Sequence, residues 1–323
     1  MAYAKFTLST VTDYAKNIDA IEEFYKSELI FHKLERTPEL TLSAVELKGP
    51  KKPRATLVII PGRAEIEHKY AELLYNLKRR SVRVLVLFVR GQGMSTRPIK
   101  DSPKCHITRF EDYTEDVAFM LEKLEIRDFV MMGFSMGGLI SLDYLKHGPV
   151  KPQKLALLAP YLWPAVNVPD ALLKLFVGVM GRLPLTKTAY TVHGAEYQKV
   201  EFKDNIHSHD PFRYERYHLY YAQHPDLALG GPTYSFVEQT VLKQQALYNS
   251  AWDFTTPVLC VCAGDDRVVS TPHCLNFMRK HDHDIVPPQV MTIPGAYHDL
   301  LNEADQYRQV ALTRALNFLI FGA

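Results

Sequence analysis

The sequence predicts an α/β protein with a mostly parallel sheet that is covered by helices on both faces. Apolar runs of strand length recur along the chain, and helical patterns separate them. The runs are rich in consecutive Val, Leu and Ile, as in strands buried on both faces, and each ends near Gly or Pro. Such alternation is typical of parallel sheets, whose functional loops follow the carboxyl ends of the strands.

Six strands and five helices follow from these patterns. The predicted strands cover residues 55–60, 82–89, 129–134, 155–159, 257–263 and 289–293. The predicted helices cover residues 70–77, 110–124, 138–145, 236–248 and 306–321, and the last of them closes the chain.

The alternation stops between residues 161 and 234. This stretch holds no convincing strand, but it contains many aromatic residues and several prolines. Ala171 to Met180 carries a single charge, and Pro211 to Tyr221 places five aromatic residues beside two arginines. We therefore expect a core made of residues 1–160 and 235–323, with a mainly helical cap inserted at residues 161–234.

The composition excludes some classes of protein. A chain of 323 residues that is 47% hydrophobic can bury a large core, as one domain with an insertion or as two ordinary domains. The formal net charge of +2 leaves no basic surplus for nucleic acid, and only a weak attraction to anionic membranes stays open. Nothing in the sequence fixes the oligomeric state.

The cysteines and the N-terminal stretch bear on the compartment. Cys105, Cys260, Cys262 and Cys274 have no repeated metal-ligand spacing, so we expect buried free thiols, which suit a reducing compartment. Charged residues interrupt the N-terminal stretch, which predicts no signal peptide, and no apolar run approaches membrane-spanning length. We expect a cytoplasmic protein, with peripheral contact at the inner face of the membrane as an open alternative.

The segment most informative about chemistry is FVMMGFSMGGL at residues 129–139. An apolar strand runs into Gly-Phe-Ser-Met-Gly, with Ser135 at its centre, and a helix follows. The G-x-S-x-G pattern alone is common by chance, but between a strand and a helix it predicts a nucleophile elbow. Only small residues fit beside the serine in so tight a turn, which holds the hydroxyl exposed at a helix N-terminus.

A serine hydroxyl becomes a good nucleophile only when a histidine takes its proton and a carboxylate orients that histidine. The loop after the strand at 257–263 offers Asp265 and Asp266, and the loop after the strand at 289–293 offers His298. The chain order serine, aspartate, histidine is the one that accompanies a nucleophile elbow. Of the two aspartates, the one that does not orient the histidine is expected to serve as a turn residue or helix cap.

The tetrahedral intermediate of such a reaction needs two backbone N–H groups that face its oxyanion. We expect one from Met136, directly after the nucleophile. The other is expected from the loop at residues 60–65, where the Arg63 amide is the best candidate and Glu65 braces the loop. A plain turn at the end of a strand is the alternative interpretation of this loop.

Two further patterns indicate no binding site. The loop RGQGMS at residues 90–95 lacks a third glycine and a helix directly after it, so a structural turn is favoured and no cofactor is expected. His207 with His209, and His281 with His283, lie in polar runs without other metal ligands nearby in sequence. We expect solvated loops there and no metal site.

These motifs resemble the α/β-hydrolase family, within it the lysophospholipase L2 and monoacylglycerol lipase group, and most of all the bacterial lysophospholipase L2 branch. The resemblance runs from about residue 41 to the C-terminus. Its carriers are PGRAE at 61–65, KYAELLYNL at 69–77, RGQGMS at 90–95, GFSMGG at 133–138, GGPTY at 230–234, DRVV at 266–269 and PGAYHDLL at 294–301. Many monoacylglycerol lipases have His-Gly where this chain has Pro61-Gly62, which favours the bacterial branch.

The resemblance implies a serine hydrolase that needs neither metal nor cofactor. Its D-x-V-V pattern favours Asp266 over Asp265, which gives Ser135, Asp266 and His298 as the catalytic residues. The implied substrate is a lipid or small ester, above all a lysophospholipid. A monoacylglycerol lipase, a generic carboxylesterase and a catalytically silent binding protein of the same fold are the alternatives.

The composition of the cap suggests where such a lipid would bind. The apolar segment at 171–180 suits an acyl chain or the edge of a membrane, with Leu172 and Phe176 as its contacts. Arg213 and Arg216 suit a phosphate headgroup. Packing of the apolar residues onto the core and solvation of the arginines are the alternatives.

Overall fold

The structure is a computed structural model that describes residues 8–100, 102–192 and 194–321. Residues 1–7, the start of the stretch in which no signal peptide is predicted, lie outside the described residues. None of the helices within those ranges combines the length and the apolar character needed to cross a bilayer.

An eight-stranded sheet forms the centre of the described part of the chain. Its strands are β1 (Ile30–Thr37), β2 (Leu40–Leu47), β3 (Thr56–Ile60), β4 (Arg83–Phe88), β5 (Val130–Phe134), β6 (Leu155–Leu158), β7 (Val258–Ala263) and β8 (Gln289–Ile293). The strands β3 to β8 agree with the six predicted ones to within one residue at each end. The predicted α/β class is therefore confirmed.

The strand order is β1-β2-β4-β3-β5-β6-β7-β8, and β3 to β8 run parallel. Strands β1 and β2 were not predicted; they form an antiparallel hairpin that extends the sheet beside β4. Along β1, exposed positions alternate with half-buried ones, and its sequence IFHKLERT contains no long apolar run. An edge strand pairs on one side only and needs few apolar residues, which explains why the apolar pattern did not predict it.

Ten α-helices, counted over the described residues, cover the two faces of the sheet or lie in the segment between β6 and the helix Tyr234–Asn249. They are α1 (Val11–Lys16), α2 (Ile18–Ser27), α3 (Ala71–Leu77), α4 (Glu111–Lys123), α5 (Met136–His147), α6 (Asp170–Arg182), α7 (Pro211–Gln223), α8 (Tyr234–Asn249), α9 (Thr271–Lys280) and α10 (Asp305–Leu316). The five predicted helices correspond to α3, α4, α5, α8 and α10, although α10 ends earlier than predicted and continues as a π-helical turn at Asn317–Phe321.

Each central strand contributes to two hydrophobic cores because its side chains alternate between the faces of the sheet. In β3, Leu57 and Ile59 belong to the core under α3 and α10, whereas Val58 and Ile60 belong to the core under α4 and α5. All four side chains are completely buried. The two cores fix the sheet between helical layers, so the carboxyl ends of its parallel strands form one stable edge.

The segment between β6 and α8, where the cap is predicted, interrupts the alternation. Its described residues contain α6, α7 and two short 3₁₀ turns, joined by irregular chain and without a strand. Helix α6 packs along α8, and Arg182 at the end of α6 forms an ion pair with the buried Glu238. The limits of an independent cap at residues 161–234 stay a prediction.

Helix α7 is attached to the core by a buried cluster of charges around Arg213. The guanidinium donates Nε to Glu72 Oε2 at 2.9 Å and Nη2 to Glu72 Oε1 at 3.0 Å. Its Nη1 lies 2.7 Å from Asp210 Oδ2 and 2.9 Å from Asp305 Oδ1. Burial alone would lower the pKa of Arg213, but these carboxylates outweigh it and raise the pKa. Arg213 therefore joins the cap to α3 and α10.

The structure predicts that Arg213→Ala strongly destabilises the fold. Because the arginine is only 1% exposed, its removal takes the cation from the buried Asp210 and leaves the buried Glu72 with only the longer Arg308 contact, at a cost of about 3–5 kcal/mol. Urea unfolding measures the difference in the free energy of unfolding.

Arg216→Ala on the same helix is the matched control. Arg216 is half-buried and pairs with Glu22, whose carboxylate is also partly exposed, so the expected loss is below ~1 kcal/mol. Equal losses in the two variants would contradict a special anchoring role for Arg213.

Candidate active site

The turn between β5 and α5 places Ser135 at the carboxyl edge of the sheet in a left-handed backbone conformation, with φ of 51° and ψ of −117°. A side chain rarely tolerates this region, so the neighbouring contacts must hold it. A Cβ on Gly133 would lie 2.6 Å from the Gly137 carbonyl oxygen, and one on Gly137 would lie 2.5 Å from that of Pro61. Only glycine fits at both positions, as the elbow pattern predicts.

The predicted serine, histidine and aspartate meet at this edge. His298 Nε2 lies 2.8 Å from Ser135 Oγ, and His298 Nδ1 lies 2.7 Å from Asp266 Oδ2. The Asp266 side chain is fully buried, and its other oxygen accepts the amides of Val268 and Val269 at 2.8 and 2.9 Å. Ser135 Oγ, both ring nitrogens of His298 and both carboxylate oxygens of Asp266 therefore each have a partner. The geometry matches that of a nucleophile, a base and an orienting acid.

Asp265 occupies a different position. It is exposed, and its backbone N–H donates to the Ala296 carbonyl oxygen at 2.9 Å, across the loops that follow β7 and β8. Among the described contacts its carboxylate has no histidine partner. The geometry therefore supports Asp266 as the orienting acid and a turn role for Asp265.

Two backbone amides close to the nucleophile have no acceptor among the described contacts. Within the described residues, the N–H groups of Arg63 and Met136 form no hydrogen bond. The flanking amides of the 60–65 loop are occupied, because Gly62 donates to Glu65 Oε2 and Ala64 donates to Gln92 Oε1, both at 2.8 Å. This arrangement leaves the Arg63 amide, between these two, as a free donor and agrees with the predicted oxyanion hole.

The cap also holds the oxyanion loop from outside. The hydroxyl groups of Tyr217 and Tyr221 on α7 both donate to the Ala64 carbonyl oxygen, and Ala64 has a positive φ of 61°. The Arg63 guanidinium donates to the Gly230 carbonyl oxygen at 3.0 Å, in the GGPTY segment. Contacts from two parts of the cap therefore fix the strained turn that presents the Arg63 amide.

Ser135 and His298 line a cavity of about 630 Å³ between the sheet edge and the cap. That volume lies in the usual range for small-molecule sites. Helix α7 contributes one face to the lining, with Tyr214, Tyr217, His218 and Tyr221. Their i, i+3, i+4, i+7 spacing is that of one helical stripe.

The four predicted substrate contacts do not line this cavity. Arg213 is engaged in the buried charge cluster, and Arg216 pairs with Glu22 on the far side of α7. Leu172 and Phe176 on α6 are 58% and 47% exposed at the outer surface. The predicted arginines and the tyrosine stripe lie on the same helix, α7, but only the stripe lines the cavity. The periodic spacing of the tyrosines was the signal that could have found the stripe.

The cavity contains charges of both signs. Lys69 Nζ lies 2.8 Å from Asp299 Oδ2 and also bonds Glu65, and it faces the Phe134 and Tyr217 rings. Burial alone would lower the pKa of Lys69, but the carboxylates of Asp299 and Glu65 raise it, so the lysine stays charged. Asp299 Oδ1 is buried without a hydrogen-bond partner among the described atoms.

One of the four histidines expected in solvated loops is placed differently. His281 is buried, stacks on Phe254 and lies 2.6 Å from Asp284. Its polar sequence folds back against the core, which the local sequence does not reveal. His207 is exposed to solvent and also lines the cavity.

A family model described as serine aminopeptidase, S33 (Hydrolase_4), matches residues 51–305, a range that contains the elbow, both catalytic loops and the cap. The chain belongs to this hydrolase family. Within the range that the S33 model covers lie Ser135, Asp266 and His298.

Curated relatives cover almost the whole chain. Lysophospholipase L2 of Escherichia coli K12 is 30% identical over 331 aligned positions, which span 98% of this chain and 92% of the relative. A protein of Haemophilus influenzae named probable lysophospholipase L2 is 26% identical and spans 82% of this chain and 84% of the relative. The family resemblance expected from the motifs is therefore confirmed.

Solved structures confirm the fold. The crystal structure of Paleococcus ferrophilus monoacylglycerol lipase aligns with a TM-score of 0.68 at 18% identity, and the alignment covers 87% of this chain and 99% of that one. An identity this low is evidence for the shared α/β-hydrolase architecture alone.

The site geometry predicts that substitution of Asp266, but not of the neighbouring Asp265, strongly lowers the rate of ester hydrolysis. Asp266→Asn keeps the shape but favours the wrong histidine tautomer, so we expect kcat for ester hydrolysis to fall by about 10⁴-fold. Steady-state kinetics on a soluble p-nitrophenyl ester measures the loss.

Asp265→Asn is the matched control. We expect its kcat to stay within a few-fold of that of the unaltered protein, because the Asp265 carboxylate contacts no catalytic group. A large loss in Asp265→Asn together with an active Asp266→Asn would overturn the assignment of the acid.

Proposed function

We propose that this carboxylic ester hydrolase is a lysophospholipase, which releases the fatty acid from phospholipids with a single acyl chain. The observation that carries the proposal is the cavity, because it joins the Ser135–His298 pair to fixed charges of both signs. The lysophospholipase L2 relatives, similar along nearly the entire chain, support the same substrate class.

In the proposed reaction Ser135 Oγ attacks the ester carbonyl carbon while His298 Nε2 takes its proton. Asp266 holds the Nδ1–H tautomer and stabilises the imidazolium, and the amides of Arg63 and Met136 receive the oxyanion. Collapse of the intermediate expels the alcohol, which takes the proton from His298, and leaves an acyl-serine. His298 then activates water, which releases the fatty acid and restores Ser135.

The charges of the cavity favour a zwitterionic headgroup over a neutral one. Lys69 and Arg63 offer positive charge to a phosphate, while Asp299 has an oxygen free to accept from an ammonium group. A neutral glycerol headgroup offers no charge that complements Lys69, Arg63 or the free Asp299 oxygen, and so gains less from this site. The geometry therefore supports a lysophospholipid over a monoacylglycerol.

A catalytically silent binding protein is less consistent with the site. The left-handed Ser135 conformation is a strained state that binding alone does not require. It is maintained here together with the aligned His298 and Asp266 and with two free amides.

The function is tested by fatty acid release from lysophosphatidylcholine, lysophosphatidylethanolamine and monoolein. We expect higher kcat/KM on the lysophospholipids, and at least about 10⁴-fold lower kcat in Ser135→Ala. Preference for monoolein would favour the monoacylglycerol lipase alternative, and activity confined to short p-nitrophenyl esters would favour a generic carboxylesterase. The proposal would be overturned if an aminoacyl amide were the best substrate. It would also be overturned if the unaltered protein and Ser135→Ala were equally inactive on all the esters.

We also propose that α6 contacts the inner face of the membrane that supplies the substrate. The outer side of the helix and the turn after it expose a continuous set of apolar side chains, which are Leu172, Leu175, Phe176, Val179, Leu183 and Leu185. Lys174, Arg182 and Lys187 lie among them and are exposed, which suits anionic lipid headgroups. Leu172 and Phe176 would then contact lipid outside the cavity.

Leu175→Asp should weaken binding to vesicles of phosphatidylethanolamine and phosphatidylglycerol by about tenfold. The leucine side chain is 66% exposed, and the substitution replaces this apolar contact with a negative charge. Co-sedimentation with the vesicles measures the binding.

Leu219→Asp is the control, since Leu219 is 46% exposed on α7 and outside the patch. Unchanged binding in Leu175→Asp, or equal losses in both variants, would contradict the proposed surface.

A further inference from the structure

Three cysteines whose spacing in the sequence matches no metal-ligand pattern meet next to the loop that carries Asp266. Cys260 and Cys262 are two positions apart on β7 and therefore point to the same face of the sheet. Cys274 comes from the first turns of α9, which packs on that face. All three are free thiols, with exposures of 0%, 1% and 1%.

The three sulfur atoms form a compact triangle. The Sγ atoms of Cys262 and Cys274 are 3.4 Å apart, those of Cys260 and Cys274 are 3.5 Å apart, and those of Cys260 and Cys262 are 3.8 Å apart. The point equidistant from all three lies about 2.1 Å from each, close to the ~2.3 Å of a metal–thiolate bond. An ion slightly above the plane of the triangle would reach all three sulfurs without movement of the backbone.

The surroundings restrict which ion could bind. No other His, Cys, Asp or Glu side chain among the described residues joins the three thiols. A structural zinc site takes four protein ligands, so this site lacks one. The three cysteines lie in the apolar core with Phe277 and Met278. A net charge on the complex of the ion with the three thiolates would be costly there.

We propose that Cys260, Cys262 and Cys274 form a buried binding site for a trivalent, thiophilic metalloid, with arsenic(III) as its representative. Three thiolates cancel the charge of a trivalent ion, so the complex is neutral, and arsenic(III) binds three sulfurs in a pyramid without a fourth ligand. Soft sulfur ligands select such ions over those that prefer oxygen.

The binding step is a condensation without oxidation or reduction. Arsenous acid, As(OH)₃, exchanges its three As–O bonds for three As–S bonds to the cysteines. Each displaced hydroxide leaves with one thiol proton, so three water molecules are released and arsenic stays trivalent. The product would link β7 to α9, the two elements between which the loop of Asp266 runs.

The test uses the full chain, reduced with a phosphine and incubated with arsenite below its Tm so that local opening admits the ligand. We expect one arsenic per chain by native mass spectrometry, with the loss of three protons, and a higher Tm. No uptake by the folded protein after prolonged warming would overturn the proposal.

Cysteine variants locate the site. Cys274→Ala should bind arsenite at least about tenfold more weakly because one of three linked bonds is lost. Cys105→Ala removes the remaining cysteine, which is buried elsewhere, and should bind as the unaltered protein does. Esterase activity on a soluble ester confirms that each variant is folded.

Other outcomes contradict the assignment. Equal binding by Cys274→Ala and the unaltered protein would show that the three thiols do not act together. Tighter binding of Zn²⁺ or Cu⁺ than of arsenite would show that the site selects another class of ion. Arsenic uptake is measured directly and is independent of the lysophospholipase proposal.

Discussion

The tight turn at Ser135 is the constraint on which the rest of the site depends. Its positive φ is tolerated only because Gly133 and Gly137 have no side chain to collide with neighbouring carbonyl groups. The turn fixes the hydroxyl at the edge where β7 and β8 end, and their loops bring Asp266 and His298 to it. The sheet order therefore converts three distant positions into one aligned chain of hydrogen bonds.

The cap completes this site as well as covering it. The Arg63 amide is left as a donor because Glu65 and Gln92 occupy its neighbours, while Tyr217 and Tyr221 hold the Ala64 carbonyl oxygen from the cap. The oxyanion loop is thus fixed by contacts from the core on one side and from α7 on the other. Preorganised donors of this kind stabilise charge that develops in a transition state without further rearrangement.

Much of this arrangement was predictable because its signals are local. The elbow, the two catalytic loops and the six parallel strands each follow from short stretches of sequence. The edge strand β1 was not predicted because an edge strand needs few apolar residues. Arg213 and the thiol triangle could not be predicted from local sequence, since their roles arise from partners such as Glu72 that lie far away along the chain.

Helix α7 separates two tasks between its faces. One side carries Arg213 and keeps the cap on the core, while the adjacent side carries Tyr214, Tyr217, His218 and Tyr221 into the cavity. Tyr217 and Tyr221 also hold the oxyanion loop, whereas Tyr214 and His218 bond other parts of the cap, so substitutions of these two can reshape what the cavity accepts. Such a helix gives a lineage room to exchange one lipid headgroup for another by a few point mutations, without a new fold and without loss of the old chemistry.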